Sequence, residues 1–552
     1  MKNEKVWRWG LPFVFLVGSF LYILPFFPWQ QLAYTVGQDG RFHLERMEEL
    51  FLQIQQGPSF SYLSNHTFGL IGYGVNFFYP FLWLFLFVPA RFLVTNPLTA
   101  YYLFIMVVTF ITFAISYYAY HEFRKQRLNA LFFSFIYTFS GFRAMDFFGR
   151  TAIGEVIAIT FIPLVFLGFY QIICGDKRKW WQLSLGMAGI LYSHVLSVFM
   201  STLLLVILYV MTLPVQRQKV QTLVNGLKSI GLTVLLSAGF LVPFLDQYLQ
   251  ADLLGVMETS LAGRSYPLLE QLRFTLQNMY IPGGARFNIG FILFLLVVAA
   301  LPGVFRATRT AQVSYAAGIL LLICSSNTVP WELFQETPLA LIQFPWRLLA
   351  FAVFFFAVAV SEIVPAYFKK HNWQIGFLSA IFVIGLGLHF QAAQELFAYN
   401  QTLTTDGRYY DLNKDTYEDI LSKKLNTDYM PAKAEPHFRS IYKHHVLMDG
   451  IRGSVKREYE NTYYTYDFNL KSSTVVDFPV FAYRHMWVYA NGKKVAWQPS
   501  FRGTVEVKLP PGKYLVKVGN RLPLLYKLSW LVSFGTIIGL FGYAWRGRNV
   551  KK

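Results

Sequence analysis

The chain has 552 residues, 55% of them hydrophobic and 18% aromatic, with 14% charged, against about 25% charged in a soluble domain. Apolar stretches of about 17–25 residues recur, the length that crosses a bilayer core, so a purely soluble protein is excluded. The formal charge of +19 is read as Lys and Arg held on the cytoplasmic side of a membrane. It is not read as nucleic-acid binding, which needs basic residues interleaved with aromatics on one soluble face.

The two cysteines, Cys174 and Cys324, lie in or beside apolar runs, and no disulfide framework or Cys/His metal motif is readable. The N-terminus, MKNEKVWRWG, precedes an apolar run from Leu11 to Trp29. The run is long and no small-residue cleavage site follows it, so it reads as an uncleaved first helix with Lys2, Lys5 and Arg8 inside.

Basic clusters set the threading. They are the N-terminus, HEFRKQR (121–127), DKRKW (176–180), QRQK (216–219), RATR (306–309), FKK (368–370) and the closing WRGRNVKK, and all are expected in the cytoplasm. Crossings are then expected at 11–29, 98–120, 128–146, 153–173, twice within 181–213, and at 226–245, 289–305, 313–325, 347–365, 374–391 and 526–544. That makes about twelve, with both termini cytoplasmic. The run 181–213 breaks at Tyr192-Ser193-His194; short or broken helices in membranes line polar cavities. The apolar segment 77–94 carries Pro80 and Pro89 and reads as an interrupted interfacial or re-entrant element of a first outer loop spanning 30–97.

Residues 1–391 thus form a transmembrane domain, and 392–525 a polar segment too long to be a loop without its own fold. Its second half alternates as strands do: STVVDFPVFAYRHMWVYANGKKVAW, then GTVEVKLPPGKYLVKV. Asn491-Gly492 is a hairpin signal, and Pro510-Pro511-Gly512 marks another turn. The expectation is an extracytoplasmic β-sandwich-like domain, followed by a last helix and basic cytoplasmic tail at 526–552.

Polar residues gather on the outer side of this threading. Asp39 and His43 share a helix face, and GRFHLERMEELFLQI (40–54) has the pattern of an amphipathic helix lying on the membrane. SGFRAMDFFGRTAIGE (140–155) brings Arg143, Asp146, Arg150 and Glu155. His194 sits at the helix break. LIQFPWRLLAF (341–351) brings Gln343, Trp346 and Arg347. Ionisable residues at membrane depth are functional candidates by default. Arg suits a phosphate, and a carboxylate serves as base or metal ligand. The set suits a lipid-linked phosphate substrate, with Asp39 and Asp146 the candidates for a metal.

The layout resembles the GT-C glycosyltransferases, polytopic enzymes that use polyprenyl-phosphate sugars and carry an acidic residue in the first outer loop. GQDGRFHLERMEEL matches the position of that loop, with Asp39 as counterpart of the acid, and SGFRAMDFFGR looks like the second acidic motif of some members. More narrowly, QDGRFHLERMEEL, YSHVLS and QFPWRLLAF resemble bacterial membrane proteins labelled "6-pyruvoyl-tetrahydropterin synthase-related". WVYANGKKVAW…VKLPPGKYLVKV before a last helix is similar to the YfhO family. No His triplet for the zinc of soluble pterin synthases is present, so pterin chemistry is set aside. No DxD doublet is present either, so a divalent cation is not required.

The resemblance implies a mainly α, polytopic, GT-C-like membrane glycosyltransferase in the cell membrane. It would move a sugar from a polyprenyl-phosphate donor to an extracytoplasmic envelope glycan or polymer. Asp39 and His43 are the expected catalytic pair. Arg143, Asp146, Arg150, Glu155, His194, Gln343, Trp346 and Arg347 are expected to bind substrate. The expected partners are that lipid-linked sugar, membrane lipid and the acceptor, with no nucleic acid. The alternatives are a non-catalytic lipid or polymer transporter, or a structural partner in envelope assembly.

Overall fold

The structure is a computed structural model describing residues 2–27, 32–33, 39–57, 60–249, 252–255, 259–405, 411–412, 428–460 and 462–549. The expected end of the first helix at Trp29, much of the start of the expected outer domain, and the last tail residues lie outside the described residues.

The chain is mostly helical. Its principal helices are α1 (Lys2–Ile23), α2 (Gly40–Gln55), α3 (Pro97–Arg124), α4 (Arg127–Thr138), α5 (Ile153–Ile173), α6 (Trp181–Leu191) and α7 (Val195–Thr212). These are followed by α8 (Lys219–Leu236), α9 (Ala238–Tyr248), α10 (Phe291–Val304), α11 (Arg309–Cys324), α12 (Leu349–Ile363), α13 (His371–Thr405) and α14 (Leu524–Asn549). Among the described residues six spans are long and apolar enough to cross a membrane: Pro97–Arg124, Ile153–Ile173, Val195–Val215, Pro345–Tyr367, His371–Asn400 and Leu524–Trp545. The pair α8 and α9 makes a seventh if it counts as one span. Gly10–Ile23, Leu82–Leu93, Phe291–Val304 and Arg309–Cys324 are shorter apolar helices. The chain is interrupted around Pro80, between Val75–Phe78 and Leu82, and then runs on as a 3-10 turn at Leu82–Leu86 that continues into Phe87–Leu93.

Two compact units emerge. The first comprises Met1–Gly40, Ala90–Thr233 and Thr259–Thr416. Its centre is α5 and the span Pro345–Tyr367, which are 83% and 94% buried, whereas Val195–Val215 and His371–Asn400 are 17% buried. The outward faces of the latter are large apolar side chains such as Val206, Val210 and Val383, the composition a lipid surface selects. Local signals fix the helix ends. Asn96 caps α3 by accepting from the Leu98 and Thr99 amides at 2.9 and 3.4 Å, with Pro97 at its first turn, where a missing N–H costs nothing. Helix α5 packs close on α6 because Gly168 has no side chain; a Cβ there would lie 2.1 Å from the Leu183 amide nitrogen. Small residues at such crossings let backbones approach.

The second unit comprises Arg41–Pro89, Val234–Glu258 and Tyr417–Lys552. Its β part is two antiparallel five-stranded sheets. After a short β1–β2 pair in the first unit (Leu32–Ala33 with Asp411–Leu412), the strands are β3 (Leu447–Met448), β4 (Ile451–Arg452), β5 (Lys456–Tyr459), β6 (Tyr463–Leu470), β7 (Thr474–Phe481) and β8 (Met486–Ala490). They continue as β9 (Lys493–Val495), β10 (Gln498–Pro499), β11 (Thr504–Leu509) and β12 (Gly512–Asn520). One sheet has the order β10-β11-β7-β3-β4 and the other β5-β6-β12-β8-β9. Asn491 and Gly492 have φ of 50° and 77°, the double positive that a tight hairpin between β8 and β9 requires. Pro510-Pro511 carries the chain from one sheet to the other. Residues 392–405 belong to α13, which runs unbroken to Thr405.

Helix α2 corrects one expectation. It starts at Gly40 as its pattern suggests, but its charged face is not solvated: His43, Glu45, Arg46, Glu48 and Glu49 are each 6% exposed or less. The reason is a folded loop beside it. Glu49 accepts from the amides of Asn65, His66 and Thr67, the Thr67 hydroxyl and the Gln53 amide at 2.8–3.0 Å. Arg46 donates to the carbonyls of Tyr79 and Pro80 at 3.0 and 2.6 Å and lies 4.4 Å over the Tyr79 ring. These charges satisfy backbone that no strand or helix pairs.

Candidate functional site

In the first unit, four distant chain segments bring charges together. Between α4 and α5 the helix loosens into a π turn at Met145–Gly149, a feature frequent at functional sites. A Cβ on Gly149 would lie 2.2 Å from the Tyr280 carbonyl, so only glycine lets this turn close. The turn presents Asp146 and Arg150, and the first turn of α5 presents Glu155. Arg150 Nη1 donates to Asp146 Oδ1 at 2.5 Å and to Glu155 Oε2 at 3.1 Å. The short turn before α12 supplies Arg347, whose Nε donates to the same Glu155 oxygen at 3.2 Å. Arg347 Nη1 donates to the Ile342 carbonyl at 3.1 Å and to Gln343 Oε1 at 2.8 Å.

Asp39, just before α2, completes the group. Its amide donates to the Arg150 carbonyl at 3.3 Å, and its Oδ2 lies 3.6 Å from Arg150 Nη2. It differs from the other acids in exposure: its side chain is 49% exposed, whereas Asp146 and Glu155 are 0% and 3%. The carboxylate is open on one side yet deep among protein atoms. That burial raises its pKa above the usual carboxylate value, against the opposing pull of Arg150 and Arg347.

Aromatic rings form the floor. Arg150 lies 4.3 Å over Trp346, which stacks on Phe287 at 3.8 Å and on Phe344 at 5.1 Å. Two backbone outliers border the cluster. Thr151 and Gln343 have φ of 55° and 61°. The left-handed region is unusual for any residue other than glycine and an outlier for a β-branched one, and such strain concentrates at binding and catalytic sites.

His194 caps α7, with its Nδ1 2.9 Å from Ser197 Oγ; its charged neighbours are Arg347, Glu155 and Arg150. Thus Asp39, Asp146, Arg150, Glu155, His194, Gln343, Trp346 and Arg347 gather. Arg143 does not join them. It is fully buried among helices, donating to the Thr138 carbonyl and to the hydroxyls of Thr109 and Thr112 at 3.0–3.2 Å, and it stacks against Tyr22 and Phe147. His43 belongs to the second unit, where it meets Phe42 and Tyr79 edge-on.

For a metal, Asp39 and Asp146 are both turned to Arg150, which takes the place a cation would fill. Among the described residues no group of three or more His, Cys, Asp or Glu is placed to hold an ion. A buried His389 went unnoticed in the sequence: Tyr22 O and Tyr280 Oη lie 2.8 Å from its two ring nitrogens. The one signal for it was a lone histidine inside the apolar run of α13.

The fold and the cluster define a polytopic membrane protein with a buried ionic centre and one accessible acid. Residues 75–397 match the model of the 6-pyruvoyl-tetrahydropterin synthase related domain, described as a membrane protein, and the chain belongs to that family. The matched segment contains Asp146, Arg150, Glu155, His194 and Arg347, while Asp39 precedes it. No curated protein matches the chain.

Proposed function

We propose that the chain is a GT-C-like glycosyltransferase of the cell membrane. It transfers a sugar from a polyprenyl-phosphate donor to an extracytoplasmic glycan or polymer. In this reading Gly10–Ile23, α4, α6, Phe291–Val304 and Arg309–Cys324 also cross and the bent pair α8 and α9 counts as one crossing, giving about twelve crossings without Leu82–Leu93; both termini are cytoplasmic, and residues 392–525 face outward. The observation that carries it is Asp39: one half-exposed carboxylate held against Arg150 in a cluster whose other acids are sealed.

The acceptor hydroxyl oxygen forms a bond to the sugar C1 while the C1–O bond to phosphate breaks. The electron pair leaves on the phosphate, and Asp39 takes the hydroxyl proton. Burial suits Asp39 to that task by raising its pKa toward the working pH. Arg150 and Arg347 are the cations nearest the departing phosphate. Trp346 and Gln343 hold those guanidiniums, and His194 lines the same place.

The test is the full chain in lipid nanodiscs, given radiolabelled polyprenyl-phosphate sugars and envelope glycan. Label transfer that Asp39→Asn abolishes supports the reading. No transfer or donor hydrolysis with any sugar overturns it. The mutual pairing of Asp146, Arg150, Glu155 and Arg347 favours a second reading, a non-catalytic partner in envelope assembly, which predicts that second result.

A further inference from the structure

The pairing inside the cluster is unequal. Two buried carboxylates meet one donor, Arg150 Nη1. Glu155 has a second guanidinium, from Arg347, and Asp39 has solvent. Asp146 has neither. It is fully buried, and its Oδ2 meets no hydrogen-bond partner among the described residues. The groups facing it are Tyr22 from α1, Arg150 on its own turn, Glu155 from α5 and Arg347 from the turn before α12. Arg143, one helical turn away, is committed to threonine oxygens and makes no ion pair among the described residues. With all three acids ionised, Asp39, Asp146 and Glu155 outnumber Arg150 and Arg347 by one charge. Two carboxylates sharing a buried site disfavour each other's ionisation, and the one with fewer cationic partners is the one pushed toward the neutral form.

We infer that Asp146 carries a proton and serves as a neutral positioning residue, accepting from Arg150 through Oδ1 while leaving the charge of Arg150 to Glu155 and Asp39. The four remaining charges then cancel, and a phosphate is not met by a net negative site. The neutral acid fixes the π turn without competing with Asp39 for the guanidinium.

Asp146→Asn copies the neutral acid in shape and charge. Glu155→Gln removes a charge that two arginines use. The measurement is infrared difference spectroscopy of the full chain in nanodiscs at neutral pH, wild type against each variant, with thermal unfolding of each. The expected result is a protonated-carboxyl carbonyl band in wild type, lost in Asp146→Asn and retained in Asp39→Asn. Asp146→Asn should unfold like wild type, while Glu155→Gln unfolds earlier. No band difference between wild type and Asp146→Asn overturns the inference, as does earlier unfolding of Asp146→Asn than of Glu155→Gln.

These readouts need no substrate, so they stand apart from the glycosyl-transfer reading. Where transfer is measured, that reading adds an expectation. Asp146→Asn should lose less transfer than Glu155→Gln, which should lose more than about tenfold, the cost of one charge-assisted contact. Transfer absent in wild type with the band present counts against the transferase and leaves the protonated Asp146 intact.

Discussion

Two regions hide charge, and they do so differently. In the second unit, α2 buries Glu49 and Arg46 against backbone: loop amides for the acid, loop carbonyls for the base. In the first unit, Arg150, Arg347, Asp146 and Glu155 pair with one another, two carboxylate oxygens have no partner among the described residues, and Asp39 is left open. A charge that satisfies backbone is a bracket, because the chain around it would otherwise hold orphaned polar groups. Charges gathered from distant segments with unused oxygens and strained neighbours have the marks of a site.

The contrast is sharpest at Glu49. Its replacement by Ala removes the acceptor of three backbone amides and the Thr67 hydroxyl and leaves Gln53 only the Leu63 carbonyl to donate to. Each buried unsatisfied group costs about 1–3 kcal/mol, so Glu49→Ala should lose several kcal/mol of stability and fold poorly. Thermal unfolding in detergent reads it; an unchanged midpoint would mean that α2 is not a bracket.

Arg347→Ala should weaken donor binding by about 1.5–3 kcal/mol, and Arg347→Lys by less, since lysine keeps the charge but loses the fork that reaches Glu155 and Gln343 together. Donor titration separates them, and wild-type binding by both would make Arg347 structural, as Glu49 is.

His43→Ala carries the smallest expected change. Packed on Phe42 and Tyr79, it should lower transfer far less than a change at Asp39. An equal loss would return His43 to the catalytic pair.

The amino-acid pattern reveals the helices well, because a helix that must cross lipid needs an apolar run of fixed length. The expected segment 153–173 coincides with α5, and the break at Tyr192-Ser193-His194 separates α6 from α7. The hairpin at Asn491-Gly492 is equally local, set by two residues that tolerate positive φ. What the pattern hides is the partner of each charge. GRFHLERMEEL looks the same whether its polar face meets water or a loop 16–18 residues further on. Arg143 stands in the same motif as Asp146 and Arg150, yet helical phase turns it toward Thr109 and Thr112 of α3. The strain at Thr151 and Gln343 has no sequence mark, since neither residue is one that the left-handed region favours.

The central claim is that the open acid, Asp39, is the base of a glycosyl transfer. The most direct measurement is label transfer from a polyprenyl-phosphate sugar by the full chain, wild type against Asp39→Asn at matched amounts of folded protein. Wild-type transfer should rise with pH through the raised Asp39 pKa, because the base form exists only above it. Asp39→Asn should lose about 10²–10⁴-fold of the rate while unfolding at the wild-type midpoint. A folded Asp39→Asn that transfers sugar at the wild-type rate would contradict the account.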